Sequence, residues 1–157
     1  MTGKDRSGAD ADDHWQTPQW LYDKLDAEFH FDFDPCPIHS TFDGLVVPWG
    51  KSNFINPPYN RKDKPRFIQR AYNEWRGGAT CVLLIPSATG TNQFHDLILP
   101  HAEIRFHRGR ITFVPAELPR NATEKEIRAF AESQGRDSTK GKHDSMIVIF
   151  RAGPKNE

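Results

Sequence analysis

The sequence predicts an α/β fold in which a mostly parallel sheet, with one antiparallel strand near the C-terminus, is covered by helices on both faces. Residues 81–85 form an unbroken apolar run, as expected of a strand buried on both faces. Short strand patterns alternate along the chain with amphipathic helix patterns. A hairpin pattern at residues 103–114 and a last apolar run at 146–150 indicate that one strand near the end of the chain is reversed.

The size and charge of the chain suit one neutral domain. Its 157 residues carry 21 Lys and Arg against 21 Asp and Glu, so contact with nucleic acid would need a local basic patch. We expect a flexible polar arm at residues 1–13, one domain at 14–152 and a short tail at 153–157. The sequence has two distant cysteines and neither a leader pattern nor a bilayer-length apolar run, which favours the cytoplasm.

The first third of the chain predicts one helix and up to three short strands. Thr17 and Pro18 suit the cap and first turn of a helix. The apolar side chains that follow them recur at helical spacing and are Trp20, Leu21, Leu25 and Phe29. Residues 31–34 alternate like a strand, the run 45–47 is compatible with a brief strand, and 52–56 is a short strand halted by two prolines.

The middle of the chain alternates helices and strands. Apolar side chains share one face over residues 65–75, which predicts a helix that ends at paired glycines. The buried strand at 81–85 follows, and then a short helix over 91–99. Two strand patterns, at 103–106 and 111–114, flank a basic tip and predict a hairpin.

The last third predicts one capped helix and one buried strand. Thr123 and Glu126 form a capping-box pattern at the start of a helix over 123–133. Residues 134–143 are polar and contain glycine, as is typical of a loop. The apolar run 146–150 predicts the final strand.

The most informative motif is the polar loop Asn56-Pro57-Pro58-Tyr59 after the strand at 52–56. The asparagine side-chain oxygen and the carbonyl of the first proline are two acceptors that can hold both N–H groups of an amine. Methylation of an aromatic amine needs such help, because its lone pair is delocalised into the ring. The tyrosine offers a flat face for a base that has left its duplex. A plain turn is the alternative, since Asn and Pro are common turn residues.

Five further motifs accompany this loop in a fixed order. In chain order they are Trp15-Gln16-Thr17-Pro18, Asp34-Pro35-Cys36, Asp43-Gly44-Leu45 with Trp49, Leu84-Ile85-Pro86 and Gly109-Arg110-Ile111-Thr112-Phe113. Together with the loop, this set resembles the amino-methyltransferases, and among them the small phage-type Dam family of DNA N6-adenine methyltransferases. The resemblance implies a Rossmann-like methyltransferase fold, S-adenosylmethionine as methyl donor and adenine N6 in DNA as acceptor. It also suggests the cytoplasm of a bacterial host and protection of phage DNA from host nucleases.

The resemblance further implies which residues act. The catalytic residues would be Asn56, Pro57, Pro58 and Tyr59. The donor would be bound by Trp15, Thr17, Pro18, Asp34, Pro35, Cys36 and Asp43. Transfer would be direct, because the sulfonium of the donor already makes the methyl group electrophilic, so no metal is expected.

Two features depart from the pattern of the family. The first strand is followed by Asp34-Pro35-Cys36-Pro37 rather than a glycine-rich turn, which leaves the contacts of the donor open. The chain also lacks room for a large target-recognition domain. Residues 115–143 are the one stretch that could serve as a small recognition insertion, so recognition of DNA sequence would be short or loose.

Two basic clusters are candidate phosphate contacts. One directly follows the catalytic loop and the other forms the predicted hairpin tip; they comprise Arg61, Lys62, Lys64 and Arg66, and Arg105, His107, Arg108 and Arg110. Solvated surface charge is the plain alternative. Cys36 and His39 have a metal-like spacing but lack a second pair of ligands, so a zinc site is not expected.

Other functions stay open on the sequence alone. Methylation of adenine in RNA, or of a glutamine amide in a protein, poses the same chemical problem and uses the same kind of loop. Methylation of cytosine N4 usually shows a serine first, so Asn56 argues mildly against it. A non-catalytic nucleic-acid-binding relic of a methyltransferase is the alternative from another class, and the glycine-poor donor loop is its support.

Overall fold

The computed structural model describes residues 15–135 and 143–153; the predicted arm at 1–13, most of the 134–143 loop and most of the tail lie outside the described residues. The helices are α1 (Gln19–Phe29), α2 (Asp63–Arg76) and α3 (Glu124–Ser133), with a π-helical turn at Phe94–Ile98. The strands are β1 (Ser52–Ile55), β2 (Thr80–Pro86), β3 (Glu103–Phe106) and β4 (Ser145–Phe150). The helices predicted at 65–75 and 123–133 and the strands predicted at 52–56, 81–85 and 146–150 are confirmed to within two residues.

The four strands form one mixed sheet in the order β1-β2-β4-β3. β1 pairs with β2 in parallel, whereas β4 is antiparallel to both β2 and β3. The α/β class is therefore confirmed, but the predicted predominance of parallel pairs is not. The physical reason is the position of β4. A single reversed strand inserted between two others creates two antiparallel pairs, so β1, β2 and β3 still point the same way although only one pair is parallel.

The sheet has a helix-covered core on each face, because its side chains alternate between the two sides. On one face, Phe67 and Ile68 of α2 pack with Leu83 and Ile85 of β2. On the other face, α1 contributes a buried stripe that packs against Phe54, Val82 and Leu84. β2 and β4 are buried along almost their whole length, as their unbroken apolar runs require.

The boundaries of the helices follow from local hydrogen bonding. The predicted capping box is present at α3, where the Thr123 hydroxyl accepts from the Glu126 amide and the Glu126 carboxylate accepts from the Thr123 amide. α2 ends where Gly78 adopts a φ of +112°, which favours glycine. At α1 the prediction was wrong by one residue: Pro18 is the cap, and the Thr17 hydroxyl makes no capping bond.

Two of the predicted strands are not regular strands. Residues 31–34 form one isolated parallel bridge, between Phe33 and Asn53, because the Asp32 carboxylate turns aside to accept from the main chain at Lys51 and Ser52. Residues 45–47 form a turn. The Asp43 carboxylate accepts from the Leu45 amide, and the Asp43 carbonyl accepts from the amides of Val46 and Val47. These three amides therefore bond within the turn rather than to a neighbouring strand.

The predicted hairpin is also wrong. β3 pairs with β4 rather than with residues 111–114, and Val114 instead makes an isolated antiparallel bridge to Gln16. The last strand offers β3 four paired positions, all of them buried, and burial of this apolar run outweighs the proximity in sequence of 111–114. The helix predicted over 91–99 is the shorter π-helical turn. No helix within the described residues is long and apolar enough to cross a membrane.

Candidate active site

The loop at residues 56–59 leaves the carboxyl end of β1 with its asparagine held from across the site. Asn56 is only 6% exposed, and its Nδ2 donates to the Trp15 main-chain carbonyl at 2.8 Å. This bond fixes which way the amide faces, because Nδ2 must point to Trp15 and Oδ1 then lies on the opposite side. Pro57 is buried and Pro58 partly so, which leaves the loop little freedom.

Tyr59 is held rigidly beside this asparagine. Its hydroxyl donates to the Leu84 carbonyl at 3.0 Å. The ring lies 6.0 Å from Phe113 with an interplanar angle of 88°, and 6.4 Å from His143. Burial raises the pKa of Tyr59 well above its usual value, so the phenol stays neutral at any pH of interest. Tyr59 can therefore act as a fixed aromatic wall but not as an ionised base.

The predicted donor motif at residues 15–18 lies against this loop, and we name it the N-terminal strap. Gln16 exchanges both main-chain hydrogen bonds with Val114, at 2.8 and 2.9 Å. Its side-chain amide donates to the carbonyls of Pro115 and Leu118. These four bonds bring Trp15 to Asn56 across 41 positions of sequence. Within the strap, Thr17 Oγ1 is buried and has no hydrogen-bond partner among the described residues.

The other predicted donor motif lies at the same edge of the sheet. The bridge between Phe33 and Asn53 is parallel, so residues 34–36 leave the sheet beside the end of β1. The Asp34 carboxylate accepts from the Cys36 amide at 2.8 Å. Burial raises the pKa of Asp34 to about 6, although this bond and the charge of Arg120 oppose the shift. Burial likewise raises the pKa of the Cys36 thiol, which makes a thiolate there unfavourable.

Asp43 lies near this motif, but its carboxylate is used in a turn. A Cβ at Gly44 would lie 1.9 Å from the Pro35 carbonyl oxygen, so only glycine allows this close approach. The approach packs the 43–45 turn against residues 34–36. Asp43 itself is exposed and bonds the Leu45 amide, which matches the turn chemistry of this residue type.

The sequence model of the DNA N-6-adenine-methyltransferase (Dam) family matches residues 5–155. The chain belongs to the Dam family. No curated protein and no solved structure matches it. The family description names a DNA-modifying enzyme, and the match covers nearly the whole chain, including the strap and the 56–59 loop.

The basic residues predicted to contact DNA differ in their surroundings in this Dam-family chain. Arg61 and Lys62 are exposed directly after the 56–59 loop. Lys64 is half-buried, which lowers the pKa of its ammonium, and it lines a cavity of about 270 Å³ on the α2 face of the sheet. Arg66 is exposed and lies 3.5 Å from Asp63.

The second basic cluster is split between two places. Arg105 makes two bonds, of 2.7 and 2.8 Å, to the carboxylate of Glu28, so its charge is already paired. Arg110 pairs with Asp144 at 3.3 Å. Arg108 is exposed. Of the three, Arg108 alone lacks a salt bridge among the described residues.

Two side chains near this Dam-family site were not assigned a role from the sequence. Gln16 belongs to a recognised motif, yet its function as an anchor became visible only from its partners around Val114. Arg120 stacks over the Tyr22 ring at 4.5 Å, and its charge acts on Asp34. Arg120 lies in the 115–143 stretch, where no motif in the sequence marks it. No group of three metal-ligating side chains occurs in residues 15–135 or 143–153.

Proposed function

We propose that this protein transfers the methyl group of S-adenosylmethionine directly to N6 of an adenine in DNA, after that base has left the duplex. The observation that carries the proposal is the bond from Asn56 Nδ2 to the Trp15 carbonyl. It ties the predicted acceptor loop to the predicted donor strap in one rigid unit. The match to the Dam family supports the reaction class and the acceptor.

Catalysis would depend on holding the amine. With Nδ2 committed to Trp15, Asn56 presents Oδ1 as an acceptor, and the Pro57 carbonyl supplies the second. Two acceptors draw the amine nitrogen toward a tetrahedral shape and stabilise the positive charge that develops on it. Tyr59 would orient the base by stacking, and its bond to Leu84 keeps the ring in place.

The residues around the strap suit the proposed donor. S-adenosylmethionine would supply an electrophilic methyl group on a sulfonium, together with an ammonium, a carboxylate and hydroxyls. Thr17 offers a buried hydroxyl that lacks a partner among the described residues. Asp34 offers a largely buried carboxylate whose pKa of about 6 leaves it mostly ionised at neutral pH. Residues 34–36 and the strap would therefore hold the donor beside Asn56.

The arrangement of the sheet supports a Rossmann-like methyltransferase fold. Three strands share one direction, and the reversed strand lies between β2 and β3. The 56–59 loop leaves the sheet at the carboxyl end of β1, and residues 34–36 follow the isolated bridge beside it. Open α/β sheets bind their ligands at the carboxyl ends of their strands. We propose that residues 14–152 form one such domain.

The test is an acceptor assay with donor labelled in its methyl group. DNA, RNA and a protein extract are supplied separately, and the labelled products are hydrolysed and identified by chromatography. The proposal requires label in N6-methyladenine from DNA. Label found only in RNA adenine or only in protein glutamine would identify that group as the acceptor instead. Absence of donor binding by calorimetry would indicate a relic without catalysis.

A further inference from the structure

The tryptophan at the start of α1 fits the predicted helical spacing but lies outside the buried stripe of that helix. The buried stripe of α1 consists of Leu21, Leu25 and Phe29, whereas Trp20 is 55% exposed. Its ring centroid lies 6.0 Å from that of His107, with an angle of 43° between the rings. With more than half of its surface exposed, the indole offers an aromatic face on which a base from outside the chain could stack.

An imidazole lies beside this indole, and an exposed arginine is the next residue in the chain after that histidine. His107 directly follows β3 and is fixed by its amide, which donates to the Ser145 carbonyl at 3.1 Å. Arg108 comes next and is exposed, with no salt bridge among the described residues. We call Trp20, His107 and Arg108 the rim cluster. An exposed aromatic face and an exposed guanidinium, linked through His107, match the two parts of a nucleotide, since bases stack on aromatic rings and phosphates bind arginine.

The rim cluster lies at the same carboxyl end of the sheet as the 56–59 loop, although β3 and β1 are the two outermost strands. β3 points the same way as β1, so His107 and Asn56 both follow the carboxyl ends of their strands. Trp20 is close in sequence to the strap whose Trp15 carbonyl holds Asn56. Ser145, which fixes His107, is two residues from His143, whose ring is 6.4 Å from Tyr59.

We propose that the rim cluster binds a second, unpaired nucleobase of the DNA, separate from the adenine that enters the Tyr59 site. The base stacks on the indole of Trp20, His107 supports the indole from the side, and Arg108 contacts the adjoining phosphate. This inference rests on the proposed function, because it needs DNA at this end of the sheet. It would give a small enzyme a second point of contact with a distorted strand.

The test compares a fluorescein-labelled single strand with an otherwise identical strand made of abasic sites. Trp20→Ala should raise the Kd for the base-bearing strand roughly 5- to 150-fold, the range expected for loss of one stacked base. Its Kd for the abasic strand should not change. Arg108→Ala should weaken binding to both strands, and Trp20→Phe, which keeps an aromatic face, should stay close to wild type. Leu99→Ala is the matched control, because Leu99 is 54% exposed elsewhere.

The outcomes separate this inference from the proposed function. If wild type binds and methylates DNA while Trp20→Ala binds both strands normally, the rim cluster is not a base site and the proposed function stands. Equal weakening on both strands would also overturn the base site. If sedimentation shows that Trp20→Ala only splits a dimer, the surface is an interface between copies. A wild-type protein that binds neither strand would refute both proposals.

Discussion

The side-chain amide of Asn56 and the main-chain carbonyl of Trp15 are joined by a 2.8 Å hydrogen bond across 41 positions of sequence. The bond connects the loop that would hold the acceptor amine to the strap that would hold the methyl donor. Since the carbonyl can only accept, it fixes the asparagine with Nδ2 turned toward the strap. The two halves of the proposed reaction are therefore positioned by one contact.

Thr17→Val should raise the free energy of unfolding of the donor-free protein. The same substitution should weaken donor binding. The Thr17 hydroxyl is buried without a partner among the described residues, so replacing it with a methyl removes a desolvation cost of about 1–3 kcal/mol. If the hydroxyl bonds the donor, its loss should raise the donor Kd roughly 2- to 12-fold. Thermal denaturation and calorimetry measure the two effects.

Ser145→Ala is the matched control for this experiment. The Ser145 hydroxyl is also buried without a partner among the described residues, but it lies in β4. This variant should leave the donor Kd unchanged. A Thr17→Val protein whose donor Kd equals that of wild type would remove Thr17 from the donor site.

Asp34 should make stability fall as pH rises. Burial raises the folded-state pKa to about 6 from 3.8, so the folded chain retains a proton that the unfolded chain releases between these values. The free energy of unfolding should therefore drop by up to roughly 3 kcal/mol over that interval. Asp34→Asn, which can still accept from the Cys36 amide, should abolish this drop. Urea denaturation across the pH range measures it.

The same variant tests the assignment of Asp34 to the donor. If an ionised Asp34 binds the donor, donor affinity in wild type should increase as pH rises through about 6, and Asp34→Asn should lose that increase. Calorimetry at a series of pH values checks this. A wild-type affinity that is flat from acid to neutral pH would show that the carboxylate does not contact the donor.

Tyr59→Phe and Tyr59→Ala should have unequal effects. The phenylalanine keeps the stacking face and loses the hydroxyl bond to Leu84, so stability should fall by about 1 kcal/mol while transfer continues. The alanine removes the face and should weaken transfer by about 1–3 kcal/mol, as measured from kcat/KM for DNA. Equal transfer by both variants would mean that Tyr59 does not stack on the base.

Binding of duplex DNA should weaken steeply with added salt. Two groups of basic side chains should contribute differently to this salt dependence. Each phosphate contact adds about 0.9 to the slope of log Kd against log salt. Arg61→Ala and Lys62→Ala should each reduce that slope, because both side chains are exposed directly after the proposed catalytic loop. Arg105→Ala should not, because Glu28 already neutralises it. If none of these substitutions alters the slope, the DNA does not contact Arg61 or Lys62.

The long, strongly patterned elements could be predicted from the sequence. β2 and β4 are unbroken apolar runs whose burial determines their position, and the capping box at Thr123 sets the start of α3 through local bonds. The 56–59 loop could also be predicted from the sequence. Its two prolines restrict the backbone locally, so the loop does not depend on distant contacts to end β1.

The remaining features depend on partners that are distant in sequence. Residues 111–114 resemble a strand, but Val114 pairs with Gln16 rather than with its neighbour β3. Trp20 fits the helical spacing of α1, yet it is exposed because the buried stripe is complete without it. No acidic partner for Arg105 can be recognised in the sequence. In the structure its guanidinium pairs with Glu28, which lies near the end of α1. Local patterns contain none of this information.

The most direct test of the central claim is single-turnover methyl transfer to DNA by Asn56→Ala at saturating donor, beside the surface variant Asn92→Ala. The account predicts that Asn92→Ala behaves as wild type, and that Asn56→Ala still binds donor but transfers no label to adenine above background. Transfer by Asn56→Ala at a rate close to that of wild type would contradict it.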